Sequence, residues 1–256
     1  AGQFPQYLRA ESKQQYSGRE VWALTVTDAD ATDESAPAVI FNKPHAHEPA
    51  PIAAQMNVIS QLLSGEHLDG EPSDLPRKTI LSNLVLCFMP DANPAGTAAA
   101  PVDAWDGGQY TNEEFWAWMR GIDPETGKMW KRVDLWDDTT ERPLPGRYGI
   151  VYEQISAHEY VEPNRHHRST FFEWIFELRR RRKWDRMLNL HQTEFVGSTD
   201  NAMAILPCLY EQLDPEMREV EMIWAEDVVS AWNDLPGGKP QAEIQPLQYT
   251  GQQRQY

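Results

Sequence analysis

Apolar positions fall in short runs separated by turn-forming residues, and the spacing inside each run predicts an element. Residues 20–27 (EVWALTVT) and 38–42 (AVIFN) are β-branched and aromatic runs of strand length, and the acidic, turn-rich segment 28–37 lies between them. Two strands joined by a loop are expected. In residues 51–64 (PIAAQMNVISQLLS), Ile52, Met56, Ile59 and Leu63 recur at helical spacing, a proline opens the first turn and Gly65 follows. That pattern predicts a helix. Residues 79–89 (TILSNLVLCFM) are nearly all apolar, as one strand buried on both faces would be, and turn formers fill 90–96.

Residues 112–119 predict a short helix, and 121–146, rich in Pro, Gly, Trp and charge, reads as surface loop. Thr170 and Glu173 have the spacing of a capping box, opening a helix whose apolar face includes Phe172, Ile175 and Phe176. The basic run 179–183 then falls in its last turns, where cations meet the carbonyl end of the helix dipole. It reads as a solvated helix end rather than a nucleic-acid patch. Residues 187–191 (MLNLH) are strand-like, 211–232 is helical and interrupted early by Pro215, and the chain turns polar after Gly238. Strands alternating with helices predict an α/β fold, a sheet covered on both faces. No repeat or composition break divides it, so a single domain over 1–256 is expected, with truncation at one or both ends left open.

Composition sharpens this picture. Hydrophobic residues are 41% of the 256, with 10 Trp, so the chain can bury a core and is not a disordered tail. With 23 Lys+Arg against 39 Asp+Glu the net charge is −16, which opposes binding to nucleic acid or an anionic membrane. No stretch approaches the roughly 20 consecutive apolar residues of a membrane span. Cys87 and Cys208 allow at most one internal disulfide, cannot make a four-cysteine zinc site, and read as buried thiols. Localisation and oligomeric state stay open.

The sharpest chemical feature is the segment Asn42-Lys43-Pro44-His45-Ala46-His47-Glu48-Pro49, between an expected strand and an expected helix. His45 and Glu48 are three positions apart, a spacing that lets an imidazole and a carboxylate converge in a helical turn or tight loop. A zinc ion takes such nitrogen and oxygen ligands, and a catalytic one commonly has a third protein ligand and an open position. His191, at the end of an apolar strand, is the natural third. In open α/β sheets ligands gather where strands end at their carboxyl edge, and both segments would deliver their residues there. Taken alone, an H-x-x-E pair is weak and usually marks a solvated ion pair.

Four segments together are stronger: this H-x-x-E, then Asp91-Ala92-Asn93-Pro94-Ala95-Gly96, then Asn164-Arg165, then Leu188-Asn189-Leu190-His191. Their order and context resemble the zinc carboxypeptidase family, from Ser17-Gly18-Arg19 to about His191. The resemblance implies a mixed, mostly parallel sheet of about eight strands with helices on both faces. It also implies one Zn2+ per chain held by His45, Glu48 and His191. Asn164 and Arg165 are similar to the pair that holds a substrate's terminal carboxylate, and Arg147 to the arginine that polarises the scissile carbonyl, with Arg132 and Arg142 as competitors for that role. The implied activity is a metallocarboxypeptidase hydrolysing a C-terminal peptide bond through zinc-activated water, with a glutamate as general base. Glu243 is the only late candidate for that base, which otherwise lies beyond Tyr256.

Two further readings stay open: a related zinc deacylase or amidase acting on N-acyl amino acids or peptidoglycan fragments, and a non-catalytic binding relative lacking the base. The expected partner is a peptide or acyl-amino-acid substrate. Ala95 stands where the family commonly has aspartate, and His166-His167 follow Arg165 where relatives more often carry an aspartate or aromatic residue, which leaves specificity undetermined. His47 reads as a bystander, Glu194 as a solvent residue or a support behind the site, and His158, His166 and His167 as surface histidines. Among Trp105, Trp130 and Trp136, one is a candidate to wall the substrate site.

Overall fold

The computed structural model describes residues 2–28, 35–46, 48–100, 121–123, 125–129, 133–140, 151–192, 203–207, 209–235 and 243–245. The chain is organised in two compact units, one of Ala1–Asp106 with Trp116–Gln192, the other of Gly107–Phe115 with Thr193–Tyr256. The first is built on a five-stranded mixed sheet in the order β1-β2-β4-β3-β8, from β1 (Leu8–Gln14), β2 (Glu20–Val26), β3 (Ala38–Asn42), β4 (Val85–Met89) and β8 (Arg186–Asn189). β1 and β2 pair antiparallel, as do β2 and β4, while β3 runs parallel to both β4 and β8. β5 (Leu135–Asp137), β7 (Glu159–Val161) and β6 (Glu153–Gln154) form a separate three-stranded antiparallel sheet.

Alternation along the strands explains the two cores. Cys87 and Met89 of β4, Val21 and Ala23 of β2 and Ile40 of β3 face α4 (Thr170–Arg181), which buries Phe171, Trp174, Ile175 and Leu178 against them. The alternate residues Leu86, Phe88 and Val26 face Ile59, Leu62 and Leu63 of α1 (Ala50–Ser64) and Leu81 of α2 (Arg77–Asn83). Every residue of β4 is buried, as a strand with both faces covered requires. Phe41 and Phe88, partners across the parallel ladder, stack with centroids 5.0 Å apart. Cys87 is a buried free thiol, and burial pushes its pKa up to about 12.

The first half of 79–89 is helix α2 rather than strand, because Pro76 starts a helical turn at Arg77 and the chain becomes extended only at Leu84. Among the described residues the main sheet has five strands rather than about eight, two of its four pairings are antiparallel rather than mostly parallel, and its first strand is β1. That edge strand (LRAESKQ) is polar and only half buried, so it carries no apolar run. Within 121–146, residues Leu135–Asp137 form a strand instead of loop. α4 is capped by Ser169, whose hydroxyl accepts from the Phe172 amide at 3.2 Å, not by Thr170. Thr170 instead donates through its amide to the buried Glu153 carboxylate at 3.0 Å, and its hydroxyl bonds the same carboxylate. That turns Phe171, Trp174 and Leu178 inward and leaves Phe176 exposed.

α3 (Pro94–Ala99) follows β4 in the first unit. In the second unit, β9 (Met203–Ile205) pairs parallel with β10 (Glu243–Gln245), and Pro215 opens α5 (Pro215–Asn233) at its first turn instead of interrupting it. Among the described residues no helix is long and apolar enough to cross a membrane. The short helix expected at 112–119, Cys208, Trp105 and Trp130 lie outside the described residues.

Phe88 is 1% exposed between strand and helices. Phe88→Ala is expected to cost about 3–5 kcal/mol, read as a lowered urea midpoint with an unchanged slope.

Candidate metal centre

Three parallel strands end side by side. Asn42, the last residue of β3, pairs with Met89 of β4 on one flank and Asn189 of β8 on the other, so the chains that leave them start from one level. The ladder continues past the strand ends. The Leu190 amide donates to Asn42 O at 2.8 Å, the Lys43 amide to Met89 O at 3.3 Å, and the Ala92 amide to Lys43 O at 3.0 Å. His45 and Glu48 leave the end of β3, and His191 the end of β8, at the carboxyl edge where α/β sheets place their sites.

His45, Glu48 and His191 each point one ligand atom to a common place, all within 4.8 Å of one another. His45 Nδ1 lies 2.9 Å from Glu48 Oε1, and His191 Nδ1 lies 3.1 Å from Glu48 Oε2. The imidazole centroids are 4.7 Å apart. Zinc bonds of roughly 2.0–2.1 Å in a tetrahedron put ligand atoms about 3.4 Å apart, so this donor set fits the ion with small adjustments. Burial works against a charged His45, but the Glu48 and Glu162 carboxylates outweigh it and raise its pKa to about 9. Burial would raise the pKa of Glu48, and the two imidazoles instead hold it well below the usual carboxylate range.

Glu162, which the sequence analysis missed, stands behind the site. It is fully buried, and its Oε1 lies 3.0 Å from His45 Nε2. A carboxylate on the far nitrogen of an imidazole fixes the ring and its tautomer, leaving Nδ1 to face the metal. Glu162 is placed by the small sheet, its amide donating to Asp134 O at 3.0 Å just beyond the paired residues Leu135 and Val161. Its only trace in sequence is an acid two positions before Asn164.

The ligand loop is held from below by Lys43, whose side chain is 0% exposed and whose ammonium meets Asp91 Oδ1 at 3.1 Å and Thr97 Oγ1 at 3.4 Å. Burial pushes the Lys43 pKa down and Asp91 opposes it. The Thr97 hydroxyl also donates to Ala46 O, at 3.4 Å. The Asn93-Pro94-Ala95-Gly96 segment packs here: Asn93 caps α3 by accepting from the Gly96 amide at 3.1 Å and donates to Val151 O at 2.9 Å. A Cβ on Gly96 would lie 2.9 Å from Ala46 Cβ and 2.4 Å from Asn93 Nδ2, so glycine permits this approach.

Asn164 sits against the third histidine, with its Nδ2 3.4 Å from His191 Nε2 and its Oδ1 accepting from Asn189 Nδ2 at 2.7 Å. Arg165 meets Asp134 Oδ1 through Nε at 2.7 Å. Glu243 lies in β10 of the second unit, and its side chain, like Arg147, Arg132, Arg142, His47 and Glu194, is outside the described residues. His158 is exposed and paired with Asp138, and the His166 and His167 rings stack on each other. Trp136 is buried in β5.

A mixed sheet with a His, Glu, His set at its carboxyl edge defines an α/β protein with a zinc-type centre. The sequence profile of zinc carboxypeptidases matches residues 1–193. The chain belongs to the zinc carboxypeptidase family, whose members are zinc proteins. Among solved structures it is similar to carboxypeptidase A from Helicoverpa armigera, with 15% identity, a TM-score of 0.57, and coverage of 95% of this chain and 54% of that one. It is also similar to a metallo-carboxypeptidase from Burkholderia cenocepacia, with 13% identity, a TM-score of 0.50, and coverage of 90% and 46%. The chain thus spans about half the length of these structures, and the likeness is one of fold. No curated protein matches the sequence.

Three outcomes test the centre. Glu162→Gln is expected to weaken zinc binding about 10–100-fold, measured by competition with a chromophoric chelator. Since His45 must lose its proton to ligate, zinc affinity rises roughly tenfold per pH unit up to about 9 and flattens above it. In the metal-free protein the same raised pKa stabilises the fold fully below about 6.5, and that contribution fades as pH rises through about 9. A pH series of zinc titrations and urea melts reads both.

Proposed function

We propose that the protein is a metallocarboxypeptidase, hydrolysing a C-terminal peptide bond, with zinc on His45, Glu48 and His191. The carrying observation is the convergence of both Nδ1 atoms on the Glu48 carboxylate at the sheet edge, with Arg165 on the loop that also bears Glu162. When bound, zinc supplies a Lewis acid for a carbonyl and activates water near neutral pH. Glu162 keeps the His45 ring oriented with Nδ1 forward. Asn164 meets the outer nitrogen of His191, so it steadies that ring and stands next to the place where a substrate would enter.

Arg165 is the proposed anchor for the substrate's terminal carboxylate, through charge-assisted bonds from a planar guanidinium, with Asn164 as its neighbour in that role. Its position is fixed by the turn after β7, where the Arg165 and His166 amides both donate to Glu162 O at 3.1 Å and the buried Ser169 hydroxyl donates to Pro163 O at 2.9 Å. Arg147 is the proposed support for negative charge developing on the carbonyl oxygen. Glu243 is the proposed general base, taking a proton from water and returning it to the leaving amine.

The purified chain is expected to hold about one zinc by elemental analysis and to release the terminal amino acid from an N-acyl dipeptide but not from its C-terminal amide. Arg165→Ala should weaken free-acid substrate binding by about tenfold or more with zinc content unchanged. Glu243→Gln should abolish turnover and keep the metal; full activity in that variant would remove Glu243 from the mechanism. Equal cleavage of acid and amide would reject the carboxypeptidase reading.

A further inference from the structure

Arg165 already has a carboxylate. Its Nε lies 2.7 Å from Asp134 Oδ1, with the arginine side chain 22% exposed and the aspartate 50%. Asp134 is held in place by the same small sheet that carries the anchor. Its carbonyl accepts the Glu162 amide at 3.0 Å, and the neighbouring Val133 amide donates to the Tyr152 hydroxyl at 3.2 Å. In the turn after β7 the Arg165 amide donates to Glu162 O at 3.1 Å. Main-chain bonds therefore set both ends of the ion pair through one residue, Glu162, which also lies behind His45. The pair is part of the architecture of the site.

We infer that Asp134 is an internal competitor for the anchor: it takes the place on Arg165 that a substrate's terminal carboxylate would use, and so sets how strongly the site prefers a free acid over a neutral end. This rests on the reading of Arg165 as the substrate anchor. Two carboxylates against one guanidinium repel each other, so an incoming acid either displaces Asp134 or binds beside a like charge. A ligand ending in an amide meets no such penalty. The consequence is a preference for free acids smaller than an arginine without that neighbour would give.

The matched probes 3-phenylpropionate and 3-phenylpropionamide differ only in that terminal charge, and their binding to the zinc-loaded chain is read by calorimetry. Asp134→Asn is expected to tighten the acid roughly two- to five-fold, the range for releasing a partly exposed ion pair, and to leave the amide unchanged. Asp138→Asn removes the same charge from the same sheet without touching Arg165, and should produce no such split between acid and amide. In Asp134→Asn combined with Arg165→Ala the gain should vanish. An unchanged or weaker acid affinity in Asp134→Asn, or an equal gain for both probes, overturns the competitor role. If Arg165→Ala weakens acid binding while Asp134→Asn does nothing, only this inference falls. If Arg165→Ala leaves acid binding intact, or neither probe binds, the anchor reading falls and takes the inference with it.

Discussion

Glu48 is a carboxylate almost wholly withdrawn from water, 4% exposed, and only positive charge can keep an ionised acid there. Two imidazoles converge on it, and without a metal the proton on His45 provides the charge. With a divalent cation the same three side chains become ligands and the proton leaves. The centre is therefore an electrostatic unit whose members cannot be considered singly, because removing one cation partner strands a buried anion.

Around that unit the protein arranges rigid support. The parallel strands β4, β3 and β8 end in register, so His45, Glu48 and His191 are presented by backbone already fixed by hydrogen bonds. Lys43 ties the ligand loop down onto Asp91 and Thr97, and Gly96 lets α3 come close to Ala46. From the other side the small antiparallel sheet delivers Glu162 to His45 and Arg165 to Asp134. Orientation of ligands by outer hydrogen bonds is how such centres control ring geometry and metal affinity, and two separate sheets share the task here.

Much of this is legible in the amino-acid sequence. Strand 38–42, helix 51–64 and the basic end of helix 170–181 follow from short-range pattern, as does the H-x-x-E pair. His191 required only the expectation that an apolar strand ends at the same edge. The misreadings have equally local causes. Residues 79–89 hold an apolar helix turn and an apolar strand in one run, which periodicity cannot separate at that length. Strand β1 is an edge with alternating exposure and no apolar signature. Ser169 rather than Thr170 caps α4 because Glu153, in β6, claims the Thr170 hydroxyl and amide.

By itself the sequence determined the local elements, the membership of the family and the identity of the three residues that converge at the sheet edge, since these depend on spacing within a few turns or on recurring motifs. Tertiary structure alone decided which acid stands behind His45, which carboxylate meets the buried Lys43, and that Arg165 is already paired with Asp134. Those partners lie far apart in the chain, and an isolated Glu, Lys or Asp on a polar stretch looks the same whether water or another charge will face it. Only the pairing of strands brings such groups to hydrogen-bond distance, and only burial makes the pairing consequential.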